Sequence, residues 1–151
     1  MKIVENDRKL LKDFIRLNEE WISTHFELEE ADRKLAENPG GVIDRGGYIF
    51  SLVSEGEVLG VCALFHEGDG VFELARMAVS PRHQGQGCGH LLMNAAIEKL
   101  GKIKAKKVYL ISNTKLQAAL ALYRKHGFLA TFEGPHPVYS RANIVMERKI
   151  T

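Results

Sequence analysis

The 151-residue chain predicts an α/β (α+β) fold, with a mixed sheet of about seven strands flanked by about four helices. Three observations carry that expectation. Segments rich in β-formers alternate with segments whose apolar residues recur at helical spacing. Two clusters of turn residues, Ser54-Glu55-Gly56-Glu57 and Glu67-Gly68-Asp69-Gly70, separate consecutive β-rich runs. Over residues 71 to 100 a strand, a glycine-rich loop and a helix follow one another. Continued into the next strand, that unit should be right-handed and partly parallel.

The elements follow in order. Residues 2 to 5 read as a short strand, and Asn6-Asp7 can cap a helix carrying Leu10, Leu11, Phe14, Ile15 and Leu17 on its apolar side. A second helix over residues 27 to 37 has Leu28, Ala31 and Leu35 at helical spacing, and Asn38-Pro39-Gly40-Gly41 stops it. Residues 48 to 53, 58 to 65 and 71 to 79 are β-rich. From residue 87 to 100 the polar residues His90, Asn94 and Glu98 recur every four positions. They leave an apolar face of Leu91, Leu92, Ala95, Ala96 and Leu100, closed by Gly101. KVYLIS (107 to 112) is a compact strand, and Leu116, Ala119, Leu120 and Tyr123 line one side of a helix ended by Gly127. Strands at 128 to 132 and 143 to 150 enclose a loop. Without an internal repeat or linker, residues 1 to 151 are expected to form a single domain.

Composition narrows the function. Twenty-one basic and 19 acidic residues leave a net charge of +2, too balanced to argue for nucleic acid or an anionic membrane surface. No apolar run approaches 18 residues, and the charged start MKIVENDRKLLKDF lacks the apolar stretch of a secretory signal. Two cysteines, Cys62 and Cys88, suit a reducing compartment better than a disulfide framework. The six histidines have no metal-ligand spacing. A cytoplasmic protein without a metal is expected.

The informative stretch is HQGQGCGHLL, residues 83 to 92. A helix start offers unpaired N–H groups and partial positive charge, and glycine lets a ligand approach the backbone closely, so strand, glycine loop and helix suit a phosphate. The P-loop pattern fails because Cys88, not lysine, follows Gly87. The dinucleotide pattern fails because His90 or Leu92 stands where it requires its last glycine.

What fits is Gln84-x-x-Gly87-x-Gly89, after the strand MAVSP (77 to 81) and ahead of ALYRKHGF (121 to 128). With these elements the chain resembles the GNAT superfamily of N-acetyltransferases from about residue 48 to 132. The resemblance implies a mostly antiparallel sheet and acetyl-CoA as co-substrate. It also implies that the backbone of Gln84, Gly85, Gln86, Gly87, Cys88, Gly89 and His90 grips the pyrophosphate. The edge formed by Met77, Ala78 and Val79 would pair with the pantetheine arm, and an N–H near Met77 would point at the thioester carbonyl. Tyr123 occupies the position of the general acid that faces the CoA sulfur. Periodicity alone places it on an apolar helix side, where tyrosines also simply pack.

Glu73 is the candidate base. Strand alternation puts Val71, Glu73, Ala75, Met77 and Val79 on one side unless a bulge intervenes, and apolar neighbours should raise its pKa. A glutamate here also resembles the lysine-acetylating members, whereas the ordinary alternative is an ion pair with Arg76 or Arg141. The chain departs from the family at Leu116, where many members carry a cofactor-contacting asparagine. Asn113 is the candidate replacement, and Ser112 matches a subset with a hydroxyl there.

The acceptor is expected to be an amine, either a small molecule or a protein lysine or N-terminus, met by residues 25 to 32 and 134 to 141. Glu27, Glu29, Glu30 and Asp32 form either a receptor for a cation or an ordinary acidic helix start. Tyr139 and Arg141 are candidates for the pocket wall, Arg141 suiting a carboxylate. Lys102, Lys104, Lys106 and Lys107 are a solvated edge or an attractor of the cofactor's 3′-phosphate. A nucleophilic Cys88 is disfavoured, because the family transfers directly. Two other function classes stay open, a non-catalytic acetyl-CoA-binding module and an unrelated nucleotide binder. A homodimer is compatible with the resemblance.

Overall fold

The computed structural model describes residues 1–150. Strands β1 (Lys2–Glu5), β2 (Tyr48–Ser54), β3 (Glu57–Gly68), β4 (Val71–Val79), β5 (Lys107–Ser112), β6 (Leu129–Glu133) and β7 (Ile144–Lys149) form one sheet. Their order is β1-β2-β3-β4-β5-β7-β6, antiparallel except for β4 and β5. The helices are α1 (Leu11–His25), α2 (Glu30–Glu37), α3 (Gly41–Asp44), α4 (Cys88–Lys102) and α5 (Gln117–Lys125). The fifth helix is α3, a single turn that begins at Gly41 of the Asn38-Pro39-Gly40-Gly41 stop, where the sequence predicts no helix.

Two helix starts differ from the expectation. Asn6 is not a helix cap: it sits at a φ of 56°, and its side-chain oxygen accepts the Ile49 N–H at 2.8 Å, which ties it to β2. Asp7 alone caps, over a short 3₁₀ turn (Arg8–Leu10) that leads into α1. Helix α2 begins at Glu30 because Glu29 and Asp32 form a reciprocal capping box, the Asp32 carboxylate accepting the Glu29 N–H at 2.8 Å.

The sheet is covered on two faces. Phe50, Leu52, Cys62, Leu64, Phe72 and Leu74 meet Leu92, Met93 and Leu100 of α4 and Leu120 of α5. On the other face Ile49, Val61, Ala63 and Ala78 meet Phe14 and Leu17 of α1.

Strand β4 carries both faces in turn. Ala75 pairs with Ala63 and Ala78 with Val61, so Arg76 and Met77 together oppose Cys62, and Arg76 adopts a φ of 61°. This bulge inverts the alternation. Before it, Phe72 and Leu74 face α4; after it, Met77 and Val79 do, while Ala78 turns to α1. Glu73 and Met77 therefore lie on opposite faces of the sheet, a correction to simple strand alternation. Just ahead of the bulge β4 also parts from β5. The two pair only at Val71↔Lys107, Phe72↔Val108 and Glu73↔Tyr109, leaving a gap that opens toward the end of β4.

The bulge is held by charge. The Asp32 carboxylate is buried between two arginines: it pairs with Arg76, and Arg141 clasps it at 2.6 and 2.8 Å. Arg141 also reaches Glu29 at 3.3 Å, and Arg76 donates to the Tyr139 hydroxyl at 2.8 Å. One buried anion thus joins α2, the bulge and the loop between β6 and β7. Replacing it strands two cations in a poorly solvated place, a change that typically costs about 3 to 5 kcal/mol. Asp32→Ala is expected to lose stability in that range in urea unfolding, whereas Glu30→Ala on the exposed side of α2 should change it little.

Candidate active site

A cavity of about 120 Å³ occupies the gap between β4 and β5. Glu73, Ala75, Arg76 and Met77 of β4 line it, with Leu110 to Asn113 at the end of β5 opposite. Asn18, Trp21 and Ile22 of α1 and Phe26 wall one side; Leu116 and Tyr123 come from α5, and Tyr139 and Arg141 from the late loop. Because the strands are parted, side chains from both faces of the sheet enter one space. Glu73 arrives from the α1 face, and Met77 and Tyr123 belong to the α4 and α5 layer.

Burial and the nearby Glu67 carboxylate push the Glu73 pKa up to about 7, against smaller opposing contributions from Arg76 and the Tyr109 hydroxyl. Neither arginine suggested as its salt-bridge partner is spent on it: Arg76 and Arg141 both bind Asp32. Burial raises Tyr123 to about 12, which keeps its hydroxyl protonated at neutral pH. Its ring lies 6.3 Å from that of Phe128, at the edge of the core.

The glycine loop has the geometry its composition suggests. Gly85 and Gly87 sit at φ values of 77° and 81°, in the left-handed region, and a Cβ on either would meet nothing within 4 Å. The space above them is open. The Leu91 N–H bonds the Gly87 carbonyl at 3.2 Å, so the amides of Cys88, Gly89 and His90 precede the first such bond of α4 and lack intrahelical partners. A Cβ on Gly89 would lie 3.0 Å from Leu122 and 3.9 Å from the Met77 sulfur, which places the helix start directly beside β4 and α5. These features fit a diphosphate on the loop and a thioester led into the gap. From Leu74 onward β4 has no β5 partner, so its edge through Met77, Ala78 and Val79 faces the gap unpaired on that side.

Several side chains are used otherwise than expected. Gln84 and Gln86 turn their amides to the carbonyls of Val79 (3.4 Å) and Arg82 (3.5 Å), leaving their backbone to the loop. Cys88 is buried, its thiol donating to the His83 carbonyl at 3.6 Å, and His90 Nδ1 contacts His126 Nε2 at 3.0 Å. Asn113 lines the cavity, but its amide donates to the Arg141 carbonyl at 2.6 Å and accepts the Lys115 N–H at 2.8 Å. Its amide nitrogen holds the late loop and its oxygen the turn before α5, so both polar atoms are engaged within the chain. The acidic run is a helix start: Asp32 and Glu29 serve the capping box and Arg141, and Glu30 pairs with Arg33 at 3.5 Å. Arg141, already bidentate on Asp32, is not free to take a carboxylate. Lys102 and Lys107 pair with Glu98 and Glu147 at 3.0 and 3.2 Å, and they lie at or beyond the far end of α4, roughly 20 Å from the glycine loop.

A model of the acetyltransferase (GNAT) family matches residues 10–128. The chain belongs to that family. Solved structures agree in fold across nearly the whole chain. An acetyltransferase of the GNAT family from Staphylococcus aureus Mu50 superimposes with a TM-score of 0.88 at 18% identity, covering 99% of each chain. A GNAT-superfamily phosphinothricin acetyltransferase from Sinorhizobium meliloti, solved with acetyl-CoA, gives 0.79 at 15% identity over 99% of this chain and 88% of its own. Spermidine N-acetyltransferase from Vibrio cholerae, solved with CoA and spermine, gives 0.76 at 21% identity over 99% of this chain and 95% of its own. No curated protein matches the sequence. Among the described residues no helix is long and apolar enough to cross a membrane, and no cluster of three or more metal-ligating side chains occurs.

The residues that sequence reasoning missed are Asn18 and Trp21 of α1, which wall the cavity, and Tyr109, which adjoins Glu73. Helical spacing assigned α1 only a core face, and a pairing between strands leaves no local signal.

The raised Glu73 pKa has a consequence for stability. A carboxyl whose folded pKa lies above its unfolded value favours the fold while protonated, and that contribution is lost as pH rises from about 4.5 through about 7. Glu73→Gln is therefore expected to stabilise the protein at pH 8 by on the order of 2 kcal/mol and to leave it unchanged at pH 4. Urea midpoints at the two pH values check this.

Proposed function

We propose that this acetyltransferase-family protein moves an acetyl group from acetyl-CoA directly to a primary amine, with Glu73 as general base and Tyr123 as general acid. The observation that supports this reading most is that the two groups enter one cavity from opposite faces of the sheet, beside the glycine-rich start of α4.

The roles divide by position. The amides at Gln84, Gly85, Gln86, Gly87, Cys88, Gly89 and His90 hold the pyrophosphate at the helix start. The unpaired edge of β4 through Met77, Ala78 and Val79 takes the pantetheine arm as an added strand, and a backbone N–H near Met77 polarises the thioester carbonyl. Glu73, ionised above about pH 7, takes the ammonium proton and frees the nitrogen lone pair for attack. As the N–C bond forms and the C–S bond breaks, the Tyr123 hydroxyl gives its proton to the departing sulfur. The proton lost from nitrogen as the amide forms then restores the phenol.

The acceptor reaches Glu73 from the α1 side, past Trp21, Phe26 and Tyr139. With Arg76 and Arg141 neutralised by Asp32 and Glu29, the Glu73 carboxylate is the unpaired charge on that approach, which suits a cationic amine.

Thermal unfolding with acetyl-CoA, ATP or NAD tests the donor site. At one hundred times its dissociation constant acetyl-CoA should stabilise the protein by about 2.7 kcal/mol, and an equal shift with ATP would contradict the assignment. Gly87→Asp should abolish the shift, since it sets a negative charge where the anion binds; it also strains a left-handed backbone position, so its unfolding without ligand is measured alongside to separate lost binding from lost stability. In thiol release with a panel of primary amines, Tyr123→Phe should lower turnover at least about tenfold with little change in acetyl-CoA affinity. An unchanged rate at saturating amine would remove Tyr123 from the acid role.

A further inference from the structure

Glu73 has a second neighbourhood besides the cavity. It pairs with Tyr109 on β5 and with Phe65 on β3, and two residues after Phe65 stands Glu67. Glu67 is the residue left over where the β3–β4 register shifts between His66 and Gly68. The Tyr109 hydroxyl donates to Glu67 Oε1 at 3.0 Å and also interacts with the Glu73 carboxyl. Exposure rises along this line: Glu73 lines the cavity, Tyr109 is half-buried and Glu67 is exposed.

We propose that Tyr109 and Glu67 form the outlet through which the proton taken by Glu73 leaves for solvent. The proposal rests on Glu73 being the base. A base at the floor of a cavity filled by both substrates must discharge its proton elsewhere before the next turnover. Here protonated Glu73 donates to the Tyr109 oxygen as the Tyr109 O–H proton passes to the Glu67 carboxylate. Glu73 becomes a carboxylate, Tyr109 is again a neutral phenol and Glu67 is a carboxylic acid that loses its proton to water. No phenolate is formed, which the chemistry requires, because burial and the two carboxylates push the Tyr109 pKa far above its ordinary value.

The charged groups around Glu73 leave this direction open. Arg76 on its own strand and Arg141 of the late loop are bound to Asp32, Lys107 on β5 is paired with Glu147, and α1 presents only Asn18, Trp21 and Ile22. Tyr139 is held by Arg76.

Carboxyl-carbon NMR of the glutamate-labelled protein, with Glu73→Gln to assign the signal, reads the unit without any acceptor. The Glu73 midpoint near neutral pH should fall by about one pH unit in Glu67→Gln, because a neighbouring negative charge is removed. In Tyr109→Phe the Glu73 midpoint should instead rise, because the hydroxyl that favours its charged form is gone. An unchanged Glu73 midpoint in Glu67→Gln overturns the proposal.

Kinetics distinguishes an outlet from a merely structural tyrosine. With an amine that supports turnover, Tyr109→Phe should lower kcat about tenfold without changing the acetyl-CoA KM, and concentrated imidazole buffer should restore it by carrying the proton instead. A wild-type rate, or a lowered rate that buffer leaves untouched, overturns the outlet. Should Glu73→Gln itself keep the wild-type rate, the base assignment fails and the outlet with it. A slow Glu73→Gln beside a fast Tyr109→Phe sinks the outlet alone.

Discussion

The Asp32 carboxylate is nearly inaccessible to water, yet it remains charged. Burial alone would raise its pKa. Hydrogen bonds from Arg141, the Glu29 amide and Arg76 outweigh that burial and hold it well below the usual carboxylate range. Such a charge is tolerable only while its partners stay in place, and those partners come from distant parts of the chain. Arg76 is the bulged residue of β4, Arg141 belongs to the loop before β7, and Glu29 opens α2. The cluster offsets the cost of a non-glycine residue at positive φ in the middle of a strand.

From that constraint the working geometry follows. The bulge turns β4 over, so its two halves present side chains to opposite faces of the sheet. It also accompanies the parting of β4 from β5, which ends their pairing after Glu73 and Tyr109 and opens the cavity. A sheet normally separates what lies on its two sides. Here the gap lets a carboxyl from the α1 side and a phenol from the α5 side address the same space. The same parting leaves backbone groups of β4 unpaired at the edge where an extended ligand can add.

Electrostatics then divides the site in two. The start of α4 offers amides and partial positive charge to an anion, while Glu73 sets a carboxyl at the other side of the cavity. The arginines at that entrance add little field, since their charge is spent on Asp32 and Glu29. A phenol and a carboxyl, both buried enough to shift their pKa values upward, stand between these regions.

Much of this was legible in the sequence, because it depends on local chemistry. The strands at residues 2 to 5, 71 to 79 and 107 to 112 match the observed elements, since β-rich runs bounded by turn residues have few alternatives. The left-handed glycines at 85 and 87 are fixed by a conformation that few other residues adopt, and Gly87 caps α4 where periodicity placed the helix start. Sequence also marked Glu73 and Tyr123 as candidates for base and acid, though not where the two would meet. Strand alternation set Glu73 and Met77 on one face, and the Arg76 bulge parted them. A bulge is stabilised by partners as remote as Asp32 and Arg141, which leave no trace in the local pattern. Asn113 and Arg141 looked available for ligands and turned out to be engaged by one another's segments and by Asp32. Residue type and spacing set what each segment can do. Only the register of strands far apart in the chain decided which groups share a cavity, because hydrogen-bond pairing and burial of charge are settled by the whole fold at once.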